Sequence, residues 1–282
     1  MPARNAEPHV GHAVASVLRQ SFPDFELVVI DDGSTDGTAQ VVSDLSDSRI
    51  RLIRNQANLG IGACHNLALH NSDSELVVHV DADDVVLPDG FRRMVDVMDG
   101  HRDAPGAHCH FAFIDDQGRT LSNRFTRGRI AAQRERSLRR DYRRDLIVYG
   151  GECANHLRTY RRDVLIELGG FDESLRYGED CDMALRLVDR APLVLVPEVL
   201  YLKRVHRGAT TESLNLQSLR FFWNRTHIAW RLWRSGRIRF PERAPYYLPW
   251  LITIGLLETV RQMAANLMRE TSEPATEARP WL

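Results

Sequence analysis

The chain has 282 residues, 43% hydrophobic and 27% charged, an ordinary globular composition with length for one large domain or two small ones. Its 37 Lys and Arg against 38 Asp and Glu leave a formal net charge of -1, so no overall bias marks a nucleic-acid binder and nucleic acid is not an expected partner. Cys64, Cys109, Cys153 and Cys181 form no CxxC pair, which argues against a zinc ribbon and a disulfide-built secreted domain and for a reducing, cytoplasmic setting.

No apolar run approaches the ~18 to 20 residues of a membrane span, and the N-terminus MPARNAEPHV lacks the apolar core of a signal peptide. Lys203 is the only lysine, which removes Walker A phosphate binding and Schiff-base chemistry at any other position.

Along the chain, Val10, Ala13, Val14, Val17 and Leu18 recur at helical spacing, and FELVVI (25–30) reads as a buried strand ending in DDGSTDGT. Residues 38–45 predict a helix, 50–53 a short strand and 62–70 a helix. ELVVHV (75–80) is the next strand and ends in DADD. Helices between strands require crossover connections, so a mostly parallel α/β sheet with helices on both faces is expected. Ligands in such sheets bind beyond the carboxyl ends of the strands, where both acidic clusters fall. Further on, AHCHFAFI (107–114) is a strand followed by a turn at Asp116-Gln117-Gly118. Residues 119–144 are arginine-rich, either a solvated face or an anion-binding surface for an acceptor or a lipid. A loop at 169–172, a helix over 180–190 and strand-like runs over 193–206 complete the pattern.

Three carboxylates in DADD (81–84) repel one another at a strand end unless a cation or solvent screens them. Asp81 and Asp83 can converge on one hard divalent ion, Mg²⁺ or Mn²⁺. DADDV also fits the DxDx[TV] pattern of haloacid-dehalogenase-type phosphatases, but the lysine that chemistry needs before a later acidic motif comes after Glu179-Asp180 instead. In DDGSTDGT, residues 34–38 suit turn and cap roles, while Asp32 at the strand end could accept hydrogen bonds from a nucleobase or ribose. Glu179 and Asp180 open a helix, as complements of its dipole or as a general base. His206 is either structural or a metal ligand.

In their order along the chain, PARNAE (2–7), SVLRQSFPDFELVVIDDGSTDGT, NLGIGACHN (58–66), HVDADDVVLP, GGFDESLRYGEDCDMALRL and the VH before Gly208 resemble the family 2 glycosyltransferases of the GT-A fold. The resemblance covers roughly residues 1–210 and implies an inverting enzyme that moves a sugar from a nucleotide-diphosphate donor to a hydroxyl of a cell-envelope glycan or glycolipid. By that resemblance Asp32 contacts the base, Asp81 the ribose or the metal, Asp83 and His206 the metal, and Asp180 is the catalytic base. Pro2, Ala3, Arg4, Glu7, Asn58, Gly60 and His65 complete the donor site. It also implies a nucleotide-binding half over 1–110 and an acceptor-binding half over 111–210. Amphipathic helices over 211–270, with aromatic residues among arginines, make peripheral contact with the inner face of the cell membrane or pack on the catalytic domain. A disordered tail spans 271–282.

Two features depart from the family. His65 stands where it has arginine, and only Met1 precedes PARN, where the family has a central strand. These departures keep a second reading open, a crippled protein that binds nucleotide sugars without turning them over. They also predict a sheet lacking its first strand and therefore a chain of marginal stability.

Overall fold

The computed structural model describes residues 1–122, 156–175, 177–206, 227–228 and 230–236. Most of the arginine-rich 119–144 segment, most of the 211–270 region and the whole 271–282 tail lie outside these residues.

The chain opens with β1 (Pro2–Ala3), α1 (Glu7–Leu18), β2 (Leu27–Asp31), α2 (Thr38–Asp44), β3 (Ile50–Arg54) and α3 (Ile61–His70). The β-branched run of β2 is buried at all five positions, as suits a strand covered on both faces. It pairs in parallel with β3, with Leu27 opposite Ile50 and Asp31 opposite Arg54. On α1 the stripe Val10, Ala13, Val14 and Val17 is 0% exposed, the i, i+3, i+4, i+7 face that helix geometry turns inward. Gly33 ends β2 with φ at +65°, and a Cβ there would sit 2.7 Å from the carbonyl carbon of Ala57, so this turn admits only glycine without displacing backbone.

The second half contributes β4 (Leu76–Val78), β5 (Val85–Val86), α4 (Gly90–Gly100), β6 (Gly106–Ile114), β7 (His156–Arg161), α5 (Arg162–Glu167), α6 (Glu179–Arg190) and β8 (Val194–Arg204). Its five strands run in the order β4-β7-β6-β8-β5. Here the expectation of parallel pairing needs correction: only β6 with β8 is parallel, and β4–β7, β6–β7 and β5–β8 are antiparallel. The α/β class stands, with an all-parallel sheet β1-β2-β3 in the first part of the chain and a mixed sheet in the second.

The position expected to be bare of a first strand is held by a short one. Pro2 and Ala3 lie opposite Ile30 and Asp31 in parallel register. The Met1 ammonium donates to the Val28 carbonyl at 2.9 Å, and the amides of Ile30 and Asp32 donate to the carbonyls of Met1 and Ala3 at 2.9 and 2.8 Å. Burial lowers the pKa of that ammonium to about 6. Three backbone bonds therefore register the segment on β2 and carry Arg4 to the sheet's carboxyl end.

Candidate functional site

The carboxyl ends of β1, β2 and β8, the turn after β4, the first turn of α1 and the start of α6 supply the candidate site. Asp32 is 4% exposed. Its Oδ1 accepts the Asn55 side-chain amide at 2.9 Å and the Leu59 N–H at 2.8 Å, and its Oδ2 accepts the Gly60 N–H at 2.9 Å. Burial alone would raise its pKa, but these donors outweigh it and hold the carboxyl below its usual range. Asp32 thus fixes the loop carrying Asn58 and Gly60. Glu7, in the first turn of α1, accepts the Gly37 N–H at 2.8 Å, which ties the helix start to the DDGSTDGT loop. Arg4 and Asn58 are exposed.

His65 stacks face to face on His79, ring centroids 4.0 Å apart and 6° from parallel, with Phe171 tilted against both. Both imidazoles are held neutral, first by burial; Arg158 pushes in the same direction. The structure therefore commits the His65 ring to a buried aromatic stack beneath the site.

The DADD turn separates its three carboxylates by role. Asp84 is 2% exposed and accepts the Arg204 N–H at 2.7 Å; burial, then Asp83 and Asp81, push its pKa well above the ordinary value. Asp81 donates its N–H to the Tyr201 hydroxyl at 3.1 Å, and burial raises its carboxyl pKa against the pull of Arg158. Asp83 Oδ2 meets His206 Nε2 at 3.0 Å; this contact overcomes the effect of burial and lowers its pKa. Beside it, His9 Nε2 lies 3.2 Å from Asp116 Oδ1, and the His9 and His206 rings are 4.5 Å apart.

Across from this turn, Gly178 takes a left-handed φ of 87° and starts α6. Asp180 Oδ2 accepts from the Arg158 guanidinium at 2.9 Å and Oδ1 from the Cys181 N–H at 2.7 Å, with the Asp180 side chain 33% exposed. Glu179 is 8% exposed; burial, then Asp180, push its pKa up to about 7. The Arg158 side chain is 10% exposed and its Nε has no hydrogen-bond partner among the described residues. Burial opposes its charge, but Asp180, Tyr160, Asp81 and Glu179 together raise its pKa. Arg158, Arg204, Tyr201, His9 and Asp116 have no place in the motifs that singled out the other residues.

Two clusters offer metal-ligating atoms mutually within 4.8 Å: His9, Asp116 and His206, and Asp81, Asp84 and His156. In the second, Asp84 and His156 are buried and Asp81 half-buried, with Asp84 accepting the Arg204 amide and the His156 ring stacked on Tyr201 at 4.8 Å. The first, with Asp83 against His206, is more open and combines carboxylate oxygen with imidazole nitrogen, a donor set that fits a divalent ion.

The model of a known family, Glycosyl transferase family 2, matches residues 1–169. Chondroitin synthase of Escherichia coli is 26% identical over 225 residues, which cover 79% of this chain and 31% of that protein. The chain spans about a third of that relative's length and about half to two thirds of others that it matches. Among solved structures, S. aureus TarS in complex with UDP superposes with a TM-score of 0.58 at 21% identity, covering 80% of this chain and 67% of that one. The mannosyltransferase PcManGT of Pyrobaculum calidifontis, in complex with GDP-Man and Mn²⁺, gives 0.62 at 18% identity, covering 94% and 73%.

Proposed function

This chain belongs to glycosyltransferase family 2, its model matching 169 residues from the N-terminus, and on that footing we propose an inverting transfer of a sugar from a nucleotide-diphosphate donor to a hydroxyl of a cell-envelope glycan or glycolipid. The observation that carries this reading is the pairing of two acidic groups of different character at one end of the fold. Asp83 is joined to an imidazole at 3.0 Å, and Asp180 is joined to a buried guanidinium at 2.9 Å. The nucleotide-bound TarS and PcManGT structures support a nucleotide-sugar donor, and a relative named for chondroitin synthesis supports a glycan product.

In the proposed reaction an acceptor oxygen attacks the anomeric carbon on the face opposite the diphosphate. Asp180 takes the acceptor proton as the bond to the diphosphate breaks, which inverts the centre in one displacement without a covalent enzyme intermediate. Its two hydrogen bonds use one lone pair on each oxygen, so proton-accepting capacity remains on a side chain that solvent reaches. Arg158 fixes that carboxylate in direction. When bound, Mg²⁺ or Mn²⁺ supplies positive charge against the leaving diphosphate, and Asp83 and His206, with Asp81 in the same turn, are the residues that would hold it. Pro2, Ala3, Arg4, Glu7, Asn58 and Gly60 form the donor wall in this reading, with Asp32 and His65 setting its shape. Cytoplasmic placement at the inner membrane face belongs to the same proposal; among the described residues no helix is long and apolar enough to cross a membrane.

The test is hydrolysis and transfer with UDP-, GDP- and dTDP-sugars, with and without Mn²⁺, compared with Asp83→Ala. Metal-dependent sugar release that disappears in Asp83→Ala supports the reading. Nucleotide-sugar binding without turnover under any condition refutes it in favour of a binding protein, and phosphate release from simple monoesters refutes it in favour of a phosphatase.

A further inference from the structure

The described side chains around the DADD turn form two imidazole–carboxylate pairs facing one another. His206 Nε2 lies 3.0 Å from Asp83 Oδ2, and His9 Nε2 lies 3.2 Å from Asp116 Oδ1. The two imidazole rings are 4.5 Å apart, and the ligand atoms of His9, Asp116 and His206 all lie within 4.8 Å of one another. Adjacent ligands on a six-coordinate ion with bonds of roughly 2.1 Å are about 3 Å apart and opposite ones about 4 Å. Each hydrogen-bonded pair therefore already has the spacing of one edge of such an ion's shell.

The four residues come from the first turn of α1, the DADD turn, the turn after β6 and the end of β8, and one buried side chain ties three of these segments together. Arg204, 3% exposed, donates through Nε to the Asp83 carbonyl at 2.8 Å and through Nη1 to the carbonyls of Asp115 and Asp116 at 3.0 and 2.9 Å. Its own amide is held by Asp84 at 2.7 Å. A guanidinium with its donors fixed in a planar fork holds these loop backbones in one relation, two residues before His206. The carboxylates of Asp83 and Asp116 are thus set beside the imidazoles before any ligand arrives. Conserved support of ligands by such outer hydrogen bonds is a general property of metal centres.

We propose that His9 and Asp116 join Asp83 and His206 as a four-residue cage for a divalent transition metal, which this chain binds before the nucleotide arrives. Two imidazoles and two carboxylates favour a first-row ion of the Mn²⁺ type over Mg²⁺, whose preferred ligands are oxygen and water, and Zn²⁺ competes for the same atoms. The role of the ion, though not its site, rests on the glycosyltransferase reading.

The experiment is Mn²⁺ binding to the full chain in the absence of nucleotide, followed by loss of the free-ion paramagnetic resonance signal, with nitrogen couplings counted on the bound ion. Wild type, His9→Gln, Asp116→Asn and the double variant are compared, after thermal melts establish that each is folded; the Asp116 side chain is 68% exposed and its change leaves the core intact. Wild type should bind Mn²⁺ alone with two nitrogen ligands, each single variant should bind at least about tenfold more weakly, and His9→Gln should show one nitrogen. Zn²⁺ should displace the ion at concentrations where Mg²⁺ does not. Unchanged affinity and two nitrogens in folded His9→Gln and Asp116→Asn overturn the proposal, as does Mn²⁺ binding that requires nucleotide in wild type. If only Asp83→Ala abolishes Mn²⁺-dependent nucleotide binding, the cage is refuted while the glycosyltransferase reading stands. A chain that binds Mn²⁺ through all four residues but accepts no nucleotide sugar supports the cage and refutes that reading.

Discussion

Replacing Arg158 by methionine removes a guanidinium that faces Asp180, Asp81 and Glu179 together. At 2.9 Å and an effective dielectric of about 20, the gross attraction to Asp180 is roughly 6 kcal/mol. Desolvation of the guanidinium and solvent access to an Asp180 side chain 33% exposed reduce that figure. The expected loss is about 2 to 3 kcal/mol, between the values for an exposed pair and for a buried pair broken from one side. In a domain of this size that corresponds to a melting point lower by about 5 to 10 °C. In transfer, a carboxylate that has lost its orienting partner should cost about 10²-fold in kcat, the equivalent of roughly 2.7 kcal/mol, while KM for the donor changes little. Arg158→Lys should recover part of kcat, because an ammonium restores the charge but not the fork. The assay is steady-state transfer with acceptor saturated, beside thermal melts of all three proteins. An Arg158→Met protein that melts and turns over like wild type refutes the reasoning. A raised donor KM with kcat unchanged refutes it differently, by moving Arg158 from the base to the donor.

Asp180→Asn should lower transfer by about 10² to 10⁴-fold with donor affinity retained; if Glu179→Gln is the inactive variant and Asp180→Asn turns over normally, the carboxylates exchange roles. Asp32→Asn leaves one oxygen for three N–H donors and should cost about 1 to 3 kcal/mol at neutral pH, measured by denaturant titration. Because the folded-state pKa of Asp32 lies below its unfolded value, its stabilisation is fully present above the unfolded pKa and fades as pH falls through the folded one. The gap between variant and wild type should therefore narrow in acid, and a gap independent of pH would count against the hydrogen-bonded carboxylate. Trp230 and Trp233 are 37% and 41% exposed, with the Arg234 guanidinium 5.1 Å from the Trp230 ring centroid, while Ile228 and Leu232 are buried in a core cluster. The protein should therefore float with anionic liposomes and Trp230→Ala/Trp233→Ala should not; wild type left at the bottom removes the membrane reading.

How much of this could be read from sequence depends on how far each side chain's partner lies along the chain. Strand β2, helices α1 and α3 and the start of α6 follow from apolar spacing, because burial on one face is a local pattern. DADD and Glu179-Asp180 stand out because like charges packed into a few residues are costly without a reason. The sheet reading went only as far as the parallel half, since the antiparallel pairing of β7 with β4 and β6 depends on a strand reached through residues 123–155. Helix α1 shows the limit most clearly. Its apolar stripe was legible, but buried polar residues lie beside it, His9 and Ser16 on the helix and Gln20 just past its end, and polar residues there are read by default as solvated. Ser16 receives the Val86 N–H at 3.1 Å, Gln20 donates to the Leu87 carbonyl at 2.8 Å, and His9 meets Asp116 at 3.2 Å. Each of these partners is remote in sequence, so no local pattern gives them.

Arg204 carries the same lesson into the site. On sequence it is an arginine in a strand-like run beside the only lysine, yet its acceptors lie 88 to 121 residues away. A buried arginine is costly to desolvate, and what offsets the cost is a set of backbone carbonyls at the turning points of two loops. Two of those carbonyls belong to Asp83 and Asp116, whose side chains meet His206 and His9. The turns at Asp83 and Asp116 are therefore fixed by their backbones, which leaves both carboxylates outside the strap and available to a ligand. Motif reading singled out Asp83 and His206 because they lie in segments that the family resemblance covers, whereas Arg204, which holds those segments in place, answers to this chain's own packing.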